Sequence, residues 1–272
     1  MLPTPSTTHI DPALIYSPAE DSYLLLDTLS SPTETSFLTQ RFNSQLSSQG
    51  AAPHPSPSPL VLDVGTGSGV VLAFVAANAR AIFGRGDVLV LGGDVNEWAC
   101  RAAGRTVVQA CCEEAEVEVG NEAATHGNFM WCGNLLGIMC ADLTTSLRPG
   151  SVDVLIFNPP YVPSEIVPKI GSLDQAAEAM VGSFERDSYL LSLSYEGGVD
   201  GMEVTNRLLE QLPTVLSHER GLAYVLLCQQ NRPDEVMQRI RDWGKGWTVK
   251  VVGRSGKQAG WEKLVILRIC RS

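Results

Sequence analysis

The chain has 272 residues, of which 44% are hydrophobic and 18% are charged, and this composition is typical of a globular protein. No apolar run approaches the ~20 residues that a membrane-spanning helix needs, and the N-terminus lacks the basic and apolar regions of a secretory signal. The formal net charge is −10, which disfavours direct binding to nucleic acid because an acidic surface repels phosphates.

The seven cysteines and four histidines are dispersed along the chain, and the cysteines form no C-x-x-C pair. We therefore expect no metal site within this chain. An odd number of cysteines without a framework pattern indicates reduced thiols, so we expect a cytoplasmic location that also extends to the nucleus.

The N-terminal sixth of the chain contains one predicted helix. Residues 1–15 are expected to be disordered. A helix is predicted to open in the segment YSPAEDSY, with Ser17 as its cap and Glu20 completing a capping box. The polar, proline-rich stretch at 30–59 is interpreted as a long surface loop or a partly disordered insertion.

The remaining sequence alternates between strand-like and helix-like segments. Strands are predicted at 60–64, 88–91, 135–141, 152–157, 222–228, 248–252 and 264–269. Helices are predicted at 69–79, from 96 onwards, before 196, at 202–216 and at 234–243. Further insertions are predicted near 104–133 and 164–190. The alternation predicts an α/β fold with a doubly wound, Rossmann-like sheet covered by helices, in a single domain from 16 to 272.

The first motif that carries chemistry is LDVGTGSG, at the end of the first predicted strand. Gly65 and Gly67 let a ligand approach the backbone closely. The pattern is neither G-x-G-x-x-G nor a P-loop. Asp63 would repel a pyrophosphate and would suit a cationic ligand, although a simple tight turn remains an alternative.

Two further acidic residues follow predicted strands. Asp94 ends the second strand, where a carboxylate can accept hydrogen bonds from both hydroxyls of a ribose. Asp142 follows the third strand and could accept from an adenine amino group while Leu143 packs on the ring, or it could be a solvated turn. Together with the glycine loop, Asp94 indicates a nucleoside-containing cofactor.

The third motif is Asn158-Pro159-Pro160-Tyr161, at the end of the fourth strand. The Asn158 side-chain oxygen and the Pro159 carbonyl are acceptors that can hold a planar amino group, and Tyr161 can stack on its face. The motif therefore suits an amide or an amino-purine as substrate, with a proline-terminated turn as the alternative.

With these motifs in place, the chain resembles class I S-adenosylmethionine-dependent methyltransferases, and more narrowly the eukaryotic and archaeal release-factor glutamine N5-methyltransferases. The matching segments are YSPAEDSYLLLDTL, VLDVGTGSGVV, GDVN, ADL, VDVLIFNPPYV, EGGVDGMEVTNRLL and KQAGWEKLVILRI. The resemblance implies a seven-stranded, mostly parallel sheet with helices on both faces. It also implies S-adenosyl-L-methionine as the cofactor.

The resemblance further implies a role for each matching residue. Ser22, Asp63, Gly65 and Gly67 would contact the cofactor, with Asp63 and Gly65 at its methionine part. Asp94 would bind the ribose, and Asp142 with Leu143 would bind the adenine. Asn158 would lie between cofactor and substrate, and Asn158, Pro159 and Tyr161 would be the catalytic residues that hold the substrate amino group.

The implied reaction is methyl transfer to the glutamine of the Gly-Gly-Gln motif in a class I release factor. An adenine-N6 DNA methyltransferase and a protein-lysine (histone) methyltransferase are alternative enzymes, and a methyltransferase-like assembly subunit is the non-enzymatic alternative. Relatives of this type pair with a small zinc-binding activator subunit. In their strand order the third strand lies at a sheet edge, and here that strand, near 134–141, carries no charge or proline to protect it. A neighbouring insertion folded over this edge is the alternative.

Overall fold

The computed structural model describes residues 2–43, 56–119, 133–164, 184–256 and 263–271. The strands, numbered β1 to β7, span Leu60–Val64, Leu89–Asp94, Asn134–Cys140, Val154–Phe157, Leu222–Cys228, Trp247–Arg254 and Leu264–Arg271. The helices, numbered α1 to α8, span Glu20–Leu29, Pro32–Asn43, Val70–Ala77, Ala79–Phe83, Glu97–Val119, Phe184–Ser192, Glu203–Val215 and Pro233–Arg241.

The strands form one seven-stranded sheet in the order β3-β2-β1-β4-β5-β7-β6. The strands from β3 to β5 are parallel, and β7 is antiparallel to both of its neighbours. Strand β1 lies between β2 and β4. The strand order therefore runs in one direction from β1 to β3 and in the opposite direction from β4 onwards. Ligands of doubly wound sheets bind beyond the carboxyl ends of the strands at such a switch point. The predicted fold class is confirmed.

Each face of the sheet is covered by helices and has its own hydrophobic core. Along β5, Leu222, Tyr224 and Leu226 face a core shared with α1 to α5, whereas alternate residues face a core shared with α7 and α8. This alternation follows from the two-residue repeat of a strand. Because both faces are buried, the central strands are almost continuously apolar, as expected for parallel strands.

The N-terminal region differs from the sequence prediction of disorder over residues 1–15. Two hydrogen-bonded turns lie within residues 7–15, and Ile15 is buried. The Asn96 side chain donates to the Leu14 carbonyl, with 2.9 Å between nitrogen and oxygen, which ties this segment to the start of α5. The predicted Ser17 capping box is wrong, because α1 begins at Glu20 with Ala19 at its N-cap and no side-chain cap.

The stretch predicted as a surface loop at 30–59 contains helix α2. Its buried residues Glu34, Leu38 and Phe42 recur every four positions and so lie on one helix face. The Glu34 carboxylate is buried, and it accepts hydrogen bonds from Arg268 and Tyr224 at 2.7 Å. Because Glu34 is charged, the buried face of this helix does not read as apolar in the sequence, and the helix was not predicted.

Helix α5 also continues to Val119 through part of the predicted 104–133 insertion. The rest of the predicted insertions, at 44–55, 120–132 and 165–183, lies outside the described residues. Within the described ranges, no helix has both the length and the apolarity needed to cross a bilayer.

Candidate active site

One cavity at the carboxyl ends of β1, β2 and β4 contains every residue predicted to bind the cofactor. Its volume is about 470 Å³, which is in the range of small-molecule sites. The predicted residues that line it are Ser22, Asp63, Gly65, Gly67, Asp94, Asp142, Leu143 and Asn158.

The glycine loop between β1 and α3 needs its glycines for two different reasons. Gly65 has a φ of 63°, in the left-handed region that side chains avoid. Gly69 also has a positive φ, and a Cβ atom added there would lie 2.5 Å from the Cα atom of Ala103. Gly69 therefore lets α3 pack closely against α5, which holds the loop beside the cavity.

The carboxylate of Asp63 lies beneath this loop and is buried. Its Oδ2 accepts a hydrogen bond from the Thr66 hydroxyl at 2.8 Å. The pKa of Asp63 is raised to about 7, mainly by burial; the Thr66 hydrogen bond lowers the pKa, and the nearby charge of Asp94 raises it. A cation bound next to Asp63 would stabilise its ionised form.

The Asp94 carboxylate is held by two backbone amides at the end of β2. Its Oδ2 accepts from the Gly67 N–H at 2.9 Å, and its Oδ1 accepts from the Asn96 N–H at 2.8 Å. Burial raises the pKa of Asp94 in spite of these hydrogen bonds. Each oxygen keeps a further lone pair, so the fixed carboxylate can still accept from two ligand hydroxyls.

The turn after β3 brings Asp142 and Leu143 to the cavity wall. Leu143 is buried and has a φ of 51°, a conformation that costs a non-glycine residue roughly 1–2 kcal/mol. Asp142 forms an ion pair with Arg207 of helix α7, which also lines the cavity. Arg207 is a cavity residue that the motif analysis did not identify.

Asn158 follows β4 and presents its side chain to the same cavity. Its Nδ2 donates to Oδ2 of Asp21, with 3.1 Å between the two atoms. Within the described part of the chain, its Oδ1 is buried and has no hydrogen-bond partner. A buried acceptor without a partner is costly, so this oxygen marks a place where a ligand donor can bind.

The other residues of the predicted catalytic motif have different positions. Among the described residues, the cavity lining includes Pro160 but neither Pro159 nor Tyr161. The Tyr161 side chain is buried in the core, and its hydroxyl donates to Oδ2 of Asp21 at 3.5 Å. Tyr161 therefore supports the loop from behind in this structure, and the expected stacking on a substrate group stays a prediction.

Asn231, just after β5, clamps this loop and was not identified in the sequence. It is buried, and its Nδ2 lies 3.4 Å from the Tyr161 carbonyl oxygen and 3.0 Å from the Asp200 carbonyl oxygen. Its Oδ1 accepts from the Cys228 N–H at 2.8 Å. Asn231 thus connects the NPPY segment, the EGGVDG segment and the end of β5.

The charge pattern of the cavity fits a cationic nucleoside cofactor. Asp63 and Asp94 are both buried, and burial raises the pKa of each, so each is stabilised as a carboxylate by a cation. S-adenosyl-L-methionine carries a sulfonium and an ammonium group together with a ribose, and the site supplies carboxylates for the cations and for the hydroxyls. Within the described ranges, no group of three or more metal-ligating side chains is positioned to hold a metal ion.

The chain is similar in sequence to known methyltransferases. No family model matches the chain. The whole chain is 29% identical to methyltransferase HEMK2 of Mus musculus, of which it covers 98%. It is also 26% identical over its whole length to the eRF1 methyltransferase catalytic subunit mtq2 of Schizosaccharomyces pombe, of which it covers 96%.

Among solved structures, the chain aligns with the E. cuniculi Mtq2-Trm112 complex, described as responsible for methylation of the eRF1 translation termination factor. The chain is 24% identical to it, with a TM-score of 0.48, over 95% of this chain and 99% of that one. The sequence similarities to the mouse and yeast proteins confirm the methyltransferase resemblance inferred from the motifs.

Proposed function

We propose that this chain, a class I S-adenosylmethionine-dependent methyltransferase by its fold and its relatives, methylates a glutamine side chain. The acceptor is the N5 amide nitrogen in the Gly-Gly-Gln motif of a class I translation termination factor. The relative of Schizosaccharomyces pombe, which is named as an eRF1 methyltransferase catalytic subunit, supports this substrate. The observation that carries the proposal is the buried Asn158 Oδ1 without a partner, at the wall of the cofactor-sized cavity.

An amide nitrogen is a poor nucleophile because its lone pair is delocalised into the carbonyl group. When bound, S-adenosyl-L-methionine supplies a methyl group on a positively charged sulfur. The protein contributes position and electrostatics rather than a strong base. A hydrogen bond from the substrate NH₂ group to Asn158 Oδ1 turns its lone pair towards the methyl group. The Pro159 carbonyl, which does not line the cavity in this structure, is the second acceptor that the family resemblance implies.

The Asn158 oxygen also stabilises the positive charge that develops on the nitrogen during transfer. It is fixed before the substrate arrives, because Asn158 donates to Asp21, so no reorganisation is needed when the charge forms. Asp63 and Asp94 hold the cofactor at its cationic and ribose parts, and Asp142 with Leu143 holds the adenine. The excess proton then leaves to water.

A direct test uses purified termination factor and labelled cofactor, with the glutamine of the Gly-Gly-Gln motif replaced by alanine as the control. We expect one methyl group on that glutamine, located by mass spectrometry of the peptide, and none on the control protein. Methylation of duplex DNA or of histone lysines with no transfer to the termination factor would overturn the proposal. The net charge of −10 disfavours the DNA reaction.

We also propose a partner, namely a small zinc-binding activator subunit that adds its sheet to strand β3. Strand β3 lies at the sheet edge, and the side chain of Leu136 on it is 56% exposed. An apolar edge strand of this kind is open to strand addition by another chain. The yeast relative is named as a catalytic subunit, which supports a second subunit here. We propose the cytoplasm, and also the nucleus, as the location of this complex.

A further inference from the structure

Asp21 is a buried carboxylate in the first turn of α1 to which the motif analysis gave no role. Its side chain is 4% exposed, although aspartate is one of the residues least often buried. Helix α1 holds it there because Leu25 and Leu29 on the same helix are fully packed into the core. A buried carboxylate is costly unless it accepts hydrogen bonds, so its partners indicate its purpose.

Both oxygens of Asp21 accept hydrogen bonds, and they do so from different sides. Oδ1 accepts from the Ser22 N–H at 2.6 Å and from the Ser22 hydroxyl at 3.2 Å. Oδ2 accepts from Asn158 Nδ2 at 3.1 Å and from the Tyr161 hydroxyl at 3.5 Å. One side therefore anchors the carboxylate to its own helix, and the other side meets the NPPY segment.

An ionised carboxylate has no hydrogen to donate, so only the NH₂ end of the Asn158 amide can face it. The amide oxygen must then point the other way, and this is the buried atom that has no partner within the described residues. If the amide rotated by half a turn, its NH₂ group would face the NH₂ group of a substrate. Two donors would then oppose each other, and Asn158 would offer no acceptor to orient the nucleophile.

We propose that Asp21 is a positioning residue that fixes the Asn158 amide with its oxygen towards the methyl acceptor. This inference rests on the function proposed above, but it applies to any acceptor that presents an amino group. The alternative is that Asp21 stabilises α1 only through its negative charge near the positive end of the helix dipole. Only the positioning role depends on the hydrogen bond between Asp21 and Asn158.

The first experiment compares Asp21→Asn with Asp27→Asn, a matched change at an exposed position of the same helix. In Asp21→Asn, the new amide keeps its oxygen towards the Ser22 N–H and turns its NH₂ towards Asn158. Asp21 also lines the cavity, so its charge contributes to cofactor binding. We expect kcat at saturating S-adenosylmethionine to fall 10-fold or more, by a larger factor than the affinity for the cofactor. Asp27→Asn should leave both unchanged.

The decisive experiment exchanges the two groups in the double variant Asp21→Asn with Asn158→Asp. The amide at position 21 then donates to one carboxylate oxygen at position 158, and the other oxygen faces the acceptor. We expect this exchange to recover at least 10-fold in kcat over Asp21→Asn and to exceed Asn158→Asp alone. A double variant no better than the single variants would overturn the inference, as would wild-type kcat in Asp21→Asn.

A second variant covers the case in which Asp21→Asn does not fold. Asp21→Glu keeps the negative charge at the start of α1 but displaces the carboxylate from Asn158. A 10-fold loss of kcat with an unchanged Tm supports positioning, whereas unchanged kcat shows that the charge alone suffices. If the wild-type enzyme methylates a lysine or an adenine instead of glutamine, the proposed function fails, and the same comparison is made on that acceptor.

Discussion

A Cβ atom added to Gly201 would lie 2.0 Å from the carbonyl oxygen of Tyr161. The EGGVDG segment therefore packs directly on the backbone of the NPPY segment, with no room for a side chain between them. Hydrogen bonds reinforce this contact, because the Val162 N–H donates to the Tyr195 carbonyl and the Gly197 N–H donates to the Val162 carbonyl. The glycines of the EGGVDG segment thus fix the position of the NPPY segment relative to the sheet.

The first prediction is that Gly201→Ala displaces this loop. The clash adds to the cost of a φ of 67°, so we expect the free energy of unfolding to fall by roughly 2–4 kcal/mol and kcat to fall more than 10-fold. Gly150→Ala is a matched control, because Gly150 has nearly the same φ, 69°, but its added Cβ atom would make only an ordinary contact, 3.5 Å from His218. Denaturant unfolding and single-turnover rates are the measurements. Equal losses in the two variants would show that the contact with Tyr161 is unimportant.

The second prediction concerns the acceptor itself. Asn158→Ala removes Oδ1, so we expect kcat to fall about 10²-fold, the usual cost of losing one preorganised hydrogen-bonding group. Cofactor affinity should change far less, because Asp63, Asp94 and Asp142 remain. Turnover measured at saturating cofactor, with calorimetry for affinity, separates the two quantities. A variant that turns over normally would remove Asn158 from the mechanism.

The sequence allowed the strands and the residues that line the cavity to be predicted because their signals are local. The glycine loop, Asp94 and Asn158 each follow an apolar strand, and parallel strands bring their carboxyl ends to one edge of the sheet. The segments around them were therefore predictable without any knowledge of long-range contacts.

The supporting residues were not predictable in this way. Asp21 and Asn158 are 137 positions apart, and nothing local in either segment shows that their side chains meet. Asn231, which follows β5, holds the NPPY segment through hydrogen bonds that form only in the folded chain. Helix α2 was missed because the buried ion pair of Glu34 with Arg268 makes its inner face look polar.

The third prediction is a pH dependence of cofactor binding that arises at Asp63. Its pKa of about 7 in the free protein means that the carboxyl group is protonated below neutral pH. Because a cationic cofactor favours the carboxylate, affinity should rise with pH from 5.5 to 7, by up to about 10-fold per unit, and binding should release a proton. The cofactor ammonium group stays charged over this range, since an α-amino group titrates near 8.

Calorimetry in two buffers of different ionisation enthalpy counts the released protons. Asp63→Asn should bind more weakly at pH 7 and show a flatter pH profile, with the remaining slope due to Asp94, whose pKa burial also raises. Equal wild-type affinity at pH 5.5 and pH 7 would contradict the role of Asp63.

The fourth prediction tests the proposed docking of an activator subunit on β3. Leu136 is 56% exposed on this edge strand, whereas Ile138, two positions further on, packs partly against the core. We therefore choose Leu136→Lys, which places a charge where a partner strand would lie without disturbing the core. Co-expression with the activator should then yield no complex, and the free chain should remain folded.

Val199→Lys is the matched control for this experiment. Val199 is an apolar residue of similar exposure, 62%, but it lies in the EGGVDG segment rather than on the sheet edge. Co-purification followed by light scattering should therefore detect a complex with Val199→Lys and none with Leu136→Lys.

The wild-type chain expressed alone should aggregate through its open edge. A soluble, monodisperse and fully active wild-type monomer would instead show that β3 needs no partner, and retention of the complex by Leu136→Lys would move the interface away from this strand.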